Sequence, residues 1–102
     1  MSEHVTFFKM KVLPGKAEEI AKLMSSVEDE ARIKARGWQG SVVGKRKDNP
    51  DELWVCVTWD TSKRYFENAQ SPEQNADYER MRSLLAADPE WFDCDVVEES
   101  RA

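Results

Sequence analysis

Residues Leu53 to Trp59 constrain this chain more than any other stretch. Leu53, Val55, Val57 and Trp59 alternate with Trp54, Cys56 and Thr58. Successive side chains of a strand point to opposite faces, so this strand carries bulk on both. A sheet backed by helices on one side hides only one face. The second apolar face needs a cover of its own, and the simplest cover is the same face of another copy of the chain. The pattern therefore predicts a sheet completed by self-association.

The rest of the chain supplies the partners of that strand. His4 to Val12 is rich in β-branched and aromatic residues and stops at Leu13-Pro14-Gly15, where proline cannot continue a ladder. From Lys16, the apolar positions Ala17, Ile20, Met24, Val27 and Ala31 recur every three or four residues, with Glu18, Glu19, Lys22 and Asp29 opposite. That spacing predicts one amphipathic helix of about five turns. Gly37 ends it, Trp38 to Ser41 leads into a strand over Val42 to Arg46, and Asp48-Asn49-Pro50-Asp51 reads as the turn before the third strand. Thr61 to Ala69 reads as a short helix. Ser71-Pro72-Glu73-Gln74 is a capping box with proline at the first helical position, and it opens a helix with the stripe Tyr78, Met81, Leu84 and Leu85, ending near Asp88-Pro89. Trp91 to Val97 alternates as a last strand. The order β-α-β-β-α-α-β is the ferredoxin-like α+β arrangement, a four-stranded antiparallel sheet backed by helices.

At 102 residues the chain suits a single domain, with an ordered core over about 4–97 and loose ends at Met1 to Glu3 and beyond Glu98. A net charge of −5, with Lys and Arg interleaved among Glu and Asp, argues against nucleic acid, whose phosphates demand a basic stripe. Lys45-Arg46-Lys47 reads as a solvated hairpin tip. No apolar run is long enough to cross a membrane and no leader-like segment opens the chain, so the cytoplasm is the expected location. Cys56 and Cys94 are far apart and lack C-x-x-C spacing, which points to two small buried hydrophobes and to no metal site.

Nucleophile triads and nucleotide loops find no footing here. His4 is the lone histidine, no G-x-S-x-G elbow occurs, and Gly37, Gly40 and Gly44 do not form G-x-G-x-x-G. His4 is expected to be exposed at the start of its strand, with a proton shuttle as the sharper alternative. Arg80 and Arg82 are expected to be salt-bridged surface groups, or else an anchor for an anionic ring substituent.

Four motifs then fall into a familiar order. Leu13-Pro14-Gly15-Lys16 follows the first strand, Gly37-Trp38-Gln39-Gly40 precedes the second, Val57-Thr58-Trp59-Asp60 closes the third, and Ser71-Pro72 opens the last helix. Together, over roughly His4 to Val97, they resemble the antibiotic biosynthesis monooxygenase family, although Trp38 stands where that family usually has Phe. The resemblance implies a dimeric α/β barrel, hence a homodimer with a pocket in each subunit between helices and sheet. It also implies oxidation of a small aromatic, quinol or related compound by molecular oxygen without metal, flavin or haem. Carried over by position, the family's pocket Trp falls on Trp59 and its Tyr on Tyr65, the candidate catalytic pair. Its strand Asn falls on Val55, which can neither donate nor accept a hydrogen bond. Its helix Arg falls close to Tyr78, leaving Arg82 as the displaced equivalent. Val55, Val57, Tyr78, Met81 and Arg82 are the expected substrate-binding residues. The haem-degrading members need a histidine where Tyr78 falls, a tryptophan at Asn68 and an asparagine in the first strand, so the resemblance does not extend to haem. Two other readings stay open: a module that sequesters a small hydrophobic molecule without turnover, and a dimeric accessory protein whose pocket is filled by its own side chains.

Overall fold

The computed structural model describes residues 2–102, apart from the side chains of Val27 and Glu28. The elements are β1 (His4–Lys11), α1 (Ala17–Met24), α2 (Val27–Ala35), β2 (Trp38–Arg46), β3 (Asn49–Trp59), α3 (Ser62–Ala69), α4 (Pro72–Arg82) and β4 (Glu90–Asp95). The strands form one antiparallel sheet in the order β2-β3-β1-β4. This is the expected ferredoxin-like α+β sheet, with one difference in its helices.

The single long helix is two. Ser26 takes an extended backbone and its hydroxyl accepts the Asp29 amide, capping a new helix where the old one would have run on. A period of three to four survives such a break, which is why the stripe looked continuous. Ala31 of that stripe is exposed, and the Val27 side chain lies outside those described. Ile20 of α1 is fully buried in the core.

Strand parity decides which residues meet the helices. Phe8 and Met10 of β1 and Leu53 and Val55 of β3 join Val12, Ile20, Met81 and Leu85 in one core. On the opposite face, cross-strand register lines up Val42, Cys56, Phe7 and Phe92 across all four strands. Trp54 stands one row along, beneath the Lys9 ammonium, which lies 5.5 Å from its ring centre. Phe7 is 43% exposed, Trp54 47% and Phe92 52%. Cys56 and Cys94, expected to be buried, are free thiols only partly covered, although Val5 and Glu52 on the same face are buried.

Other boundaries shift modestly. β1 stops at Lys11, and Val12 makes an isolated bridge to Leu85. α4 stops at Arg82, so Leu84 and Leu85 pack beyond the helix end. β3 starts at Asn49, leaving Lys47 and Asp48 as the turn, and Arg46 in the basic run pairs with Asp48 and Glu52. The ends are tied down where looseness was expected, with Met1 outside the described residues. The buried Ser2 donates its amide to Glu99 at 2.8 Å and its hydroxyl to Gln39 at 2.5 Å.

Candidate functional site

A cavity of about 420 Å3 opens between the helix-side face of the sheet and helices α2, α3 and α4. Its position follows from three local instructions. Thr61 caps α3 by accepting the Arg64 amide at 3.1 Å, so the helix begins three residues after Trp59 closes β3. Tyr65 is thereby brought back over the strand end, edge-on to Trp59 with ring centres 5.8 Å apart. Ser71, accepting the Gln74 amide at 3.2 Å, and Pro72 start α4, whose Gln74, Tyr78 and Met81 recur at helical spacing along the cavity. The Ser26 break turns α2 so that Asp29, Arg32 and Ile33 close the remaining side. Phe8 and Trp91, 4.4 Å apart, form the floor beside Tyr78.

Five of the seven expected site residues line this one space: Trp59, Tyr65, Val57, Tyr78 and Met81. Val55 and Arg82 do not. Val55 shares the helix-side face but lies one pair further along β3, where core side chains bury it. Arg82 ends α4 pointing elsewhere, its Nε donating to Asp88 at 2.8 Å and its Nη1 to the Leu85 carbonyl at 3.1 Å. The guanidinium in the cavity wall belongs instead to Arg32. It donates to Asp77 at 2.7 Å and reaches Asp29 at 3.5 Å, while Arg80 pairs with the other oxygen of Asp77. The Arg32 Nη1 atom is buried and has no acceptor among the described residues.

The residues that sequence reasoning missed sit behind Tyr65. His4, expected at the surface, is 2% exposed. Its ring stacks on Tyr65 with centres 4.3 Å apart, and Phe66 meets it edge-on at 5.6 Å. His4 Nδ1 is 2.9 Å from the Ser62 hydroxyl, and Nε2 is 2.7 Å from the Thr6 hydroxyl, which in turn donates to Asp93 at 2.7 Å. Ser62, His4 and Asp93 thus meet, but neither Ser62 nor His4 lines the cavity, so this is no exposed nucleophile. Burial raises the Tyr65 phenol above its ordinary pKa, hydrogen bonding with Thr6 pulls it back, and the nearby Asp93 charge raises it again. One sequence signal could have exposed His4: it shares strand parity with Phe8 and Met10, which face the core.

Among the described residues, no group of three or more His, Cys, Asp or Glu side chains converges as a metal shell would. No described helix is long and apolar enough to cross a membrane. The cavity is not filled by the protomer's own side chains.

Sheet order, helix placement and the pocket between them define a ferredoxin-like α+β protein with a helix-side cavity and an uncovered sheet face. Solved structures share this architecture along nearly the whole chain. A provisionally named antibiotic biosynthesis monooxygenase from Chloroflexus aurantiacus J-10-fl is 22% identical, with 98% of each chain covered and a TM-score of 0.77. Another provisionally so named, from Caulobacter crescentus CB15, is 17% identical, with 95% of this chain and 92% of that one covered and a TM-score of 0.78. A dimeric ferredoxin-like protein from an uncultured marine organism is 14% identical, with 100% of this chain and 94% of that one covered and a TM-score of 0.80. At such identities the likeness establishes the fold, which is the one the sequence motifs implied. No family model and no curated protein matches the chain.

Proposed function

We propose that this chain acts as a homodimer and uses its cavity to oxidise a small electron-rich aromatic, quinol or related compound with molecular oxygen. One observation carries the reading: a cavity of about 420 Å3, the size of a small-molecule site, is walled by Trp59, Tyr65, Tyr78 and Trp91, with the Arg32 guanidinium on the side of α2. Aromatic walls bind a planar ring, Tyr65 hydrogen-bonds its oxygen, and the donor on Arg32 stabilises charge developing on that oxygen. The names of the Chloroflexus and Caulobacter proteins support the reaction class, and the dimeric description of the marine protein supports the assembly.

The redox balance closes without a separate reductant. A ring methylene flanked by phenolic rings gives up both hydrogens and takes one atom of dioxygen as a ketone oxygen. The other oxygen atom leaves with those two hydrogens as water, and the substrate supplies the electrons once it is deprotonated. Protein groups then have to orient the ring and manage protons, tasks within reach of Trp59, Tyr65 and Arg32.

Oxygen-electrode assays with a panel of anthrones and hydroquinones test this directly. The expected result is stoichiometric oxygen uptake with at least one compound, reduced by roughly a hundredfold or more in Tyr65→Phe. Tight binding with no uptake by any compound would instead identify a sequestering module.

A further inference from the structure

At the corner between α3 and α4, one side-chain amide of the cavity wall has its orientation dictated from behind. Asn68 of α3 is 6% exposed and lines the cavity. The Arg36 guanidinium, which also pairs with Glu73 at 3.4 Å, meets the Asn68 carboxamide at 3.2 Å. A guanidinium only donates, so the Asn68 atom facing it is the oxygen, and the Asn68 nitrogen is turned to Gln74. That nitrogen needs an acceptor, which puts Gln74 Oε1 in the contact, at 3.2 Å, and leaves Nε2 as the free end. A closed capping box would have drawn the Gln74 side chain back to the Ser71 amide. The Asn68 carbonyl takes that amide at 3.0 Å and accepts the Ser71 hydroxyl at 2.7 Å, so Gln74 is released from the cap. Gln74 lines the cavity, and its Nε2 has no acceptor among the described residues. Nor is Nε2 sealed inside the protein, as Arg32 Nη1 is, so a ligand atom can reach it.

We propose that Gln74 is a specificity-determining residue of the cavity, its Nε2 donating to a neutral carbonyl oxygen of the ligand, a ketone or an amide. Asn68 and Arg36 are positioning residues. Were Gln74 to present Oε1 instead, its Nε2 would face Asn68 Nδ2, donor against donor, and turning Asn68 to relieve this would set Nδ2 against the guanidinium. The wall therefore satisfies an acceptor at this point and rejects a donor. Neutrality follows from the charges. Those lining the cavity are Asp29, Arg32 and Asp77, and Arg80 pairs with Asp77 from outside the lining. Two cations offset two carboxylates, so no net positive charge remains for an anion, whose desolvation a single amide cannot offset. The inference rests on the cavity being the binding site proposed above, and it names the group that the ligand presents to α4.

Fluorenone and fluorene share a planar skeleton and differ by the carbonyl, so calorimetric titration with each isolates that group without any turnover. Fluorenone should bind tighter by roughly tenfold or more, and fluorenecarboxylate more weakly than fluorenone. Gln74→Glu keeps an oxygen for Asn68 and replaces the donor with an acceptor, so it should stay folded and abolish or reverse the preference. Arg36→Met, which lets both amides turn, should shrink the preference, whereas Arg36→Lys, still a donor only, should keep it. In heteronuclear NMR spectra, the side-chain amide signal that Gln74→Met removes should shift with fluorenone and not with fluorene. Equal affinities, no binding of either compound, or a preference that survives Gln74→Glu overturns the role of Gln74, and tighter binding of the carboxylate overturns the neutral class. Oxygen uptake that fails while the carbonyl preference holds removes the monooxygenase reading and leaves Gln74 in its role. Uptake that succeeds without the preference removes the role of Gln74 alone.

Discussion

The substitution Phe92→Glu tests the face on which the proposed assembly depends. Phe7, Trp54 and Phe92 are 43%, 47% and 52% exposed on the uncovered side of the sheet. A fully exposed aromatic presents roughly 200 Å2, so the three leave roughly 300 Å2 per protomer and twice that in a symmetric pair. At about 25 cal/mol per Å2 this amounts to about 15 kcal/mol of gross apolar stabilisation. Association costs about 4–15 kcal/mol, so these three rings bring the pair to break-even or better before Val42 and Cys56 are added. A two-fold interface counts each residue twice. Phe92→Glu therefore removes roughly 200 Å2, about 5 kcal/mol, and leaves two carboxylates to be desolvated. The dissociation constant should rise by more than about a thousandfold. Phe92 lies on edge strand β4 and is half exposed already, so the monomer should still fold. Sedimentation velocity at micromolar concentration should show a dimer for the natural sequence and a folded monomer for the variant. A natural sequence that sediments as a monomer, or a variant that remains a dimer, refutes the argument.

Two further substitutions probe polar contacts that hold the fold. Gly37 has φ +119°, and a Cβ there would come within 2.8 Å of Asp60 Cγ. Asp60 accepts the Thr61 amide at 2.7 Å and pairs with Arg64 at 2.5 Å, so Gly37→Ala should cost about 2–4 kcal/mol in chemical denaturation, and a loss below about 1 kcal/mol would show that the carboxylate yields freely. On the outer face, the Arg46 hydrogen bond holds the Glu52 carboxyl below the ordinary glutamate range, burial opposes this, and the Trp54 indole N–H assists. A depressed folded pKa stabilises above the unfolded value, and that stability disappears as pH falls through the folded one. Acid titration of stability should therefore be shallower below about pH 4 in Glu52→Gln than in the natural sequence, and superimposable curves would refute the linkage.

The fold was legible because its strongest signals are periodic and local. Alternation in β3 assigned Leu53, Val55, Val57 and Trp59 to one face and Trp54 and Cys56 to the other, and register places them so. Helix starts were equally plain where Thr61, Ser71 and Pro72 mark them. The break at Ser25-Ser26 was not, since a capping serine and a solvent-facing serine look alike when the apolar spacing continues past both. That one ambiguity matters, because the turn it makes sends Arg32 into the cavity wall. The sequence reading sought the guanidinium on α4, at Arg82, because the helix arginine of the resembled family falls close to Tyr78.

The cavity was legible only in the residues that share an element or a known motif. Trp59 and Tyr65 are six positions apart across one turn, and Tyr78 and Met81 lie on one helix face. The polar cluster behind Tyr65 joins positions with no such relation: His4 and Ser62 are 58 residues apart, and Thr6 and Asp93 are 87 apart. What could be read was parity. Thr6 and His4 alternate with Val5 and Phe7, and Asp93 alternates with Phe92 and Cys94, so each polar residue belongs to the helix-side face. Polar groups on a face that also carries Phe8 and Met10 must either reach water or bond one another. Because antiparallel pairing of β1 with β4 sets Thr6 directly beside Asp93 and His4 beside Asp95, the polar end of this face gathers at one end of the sheet, next to Trp59 and under α3. A polar cluster there touches the cavity through two rings, Tyr65 and Phe66, both packed on His4.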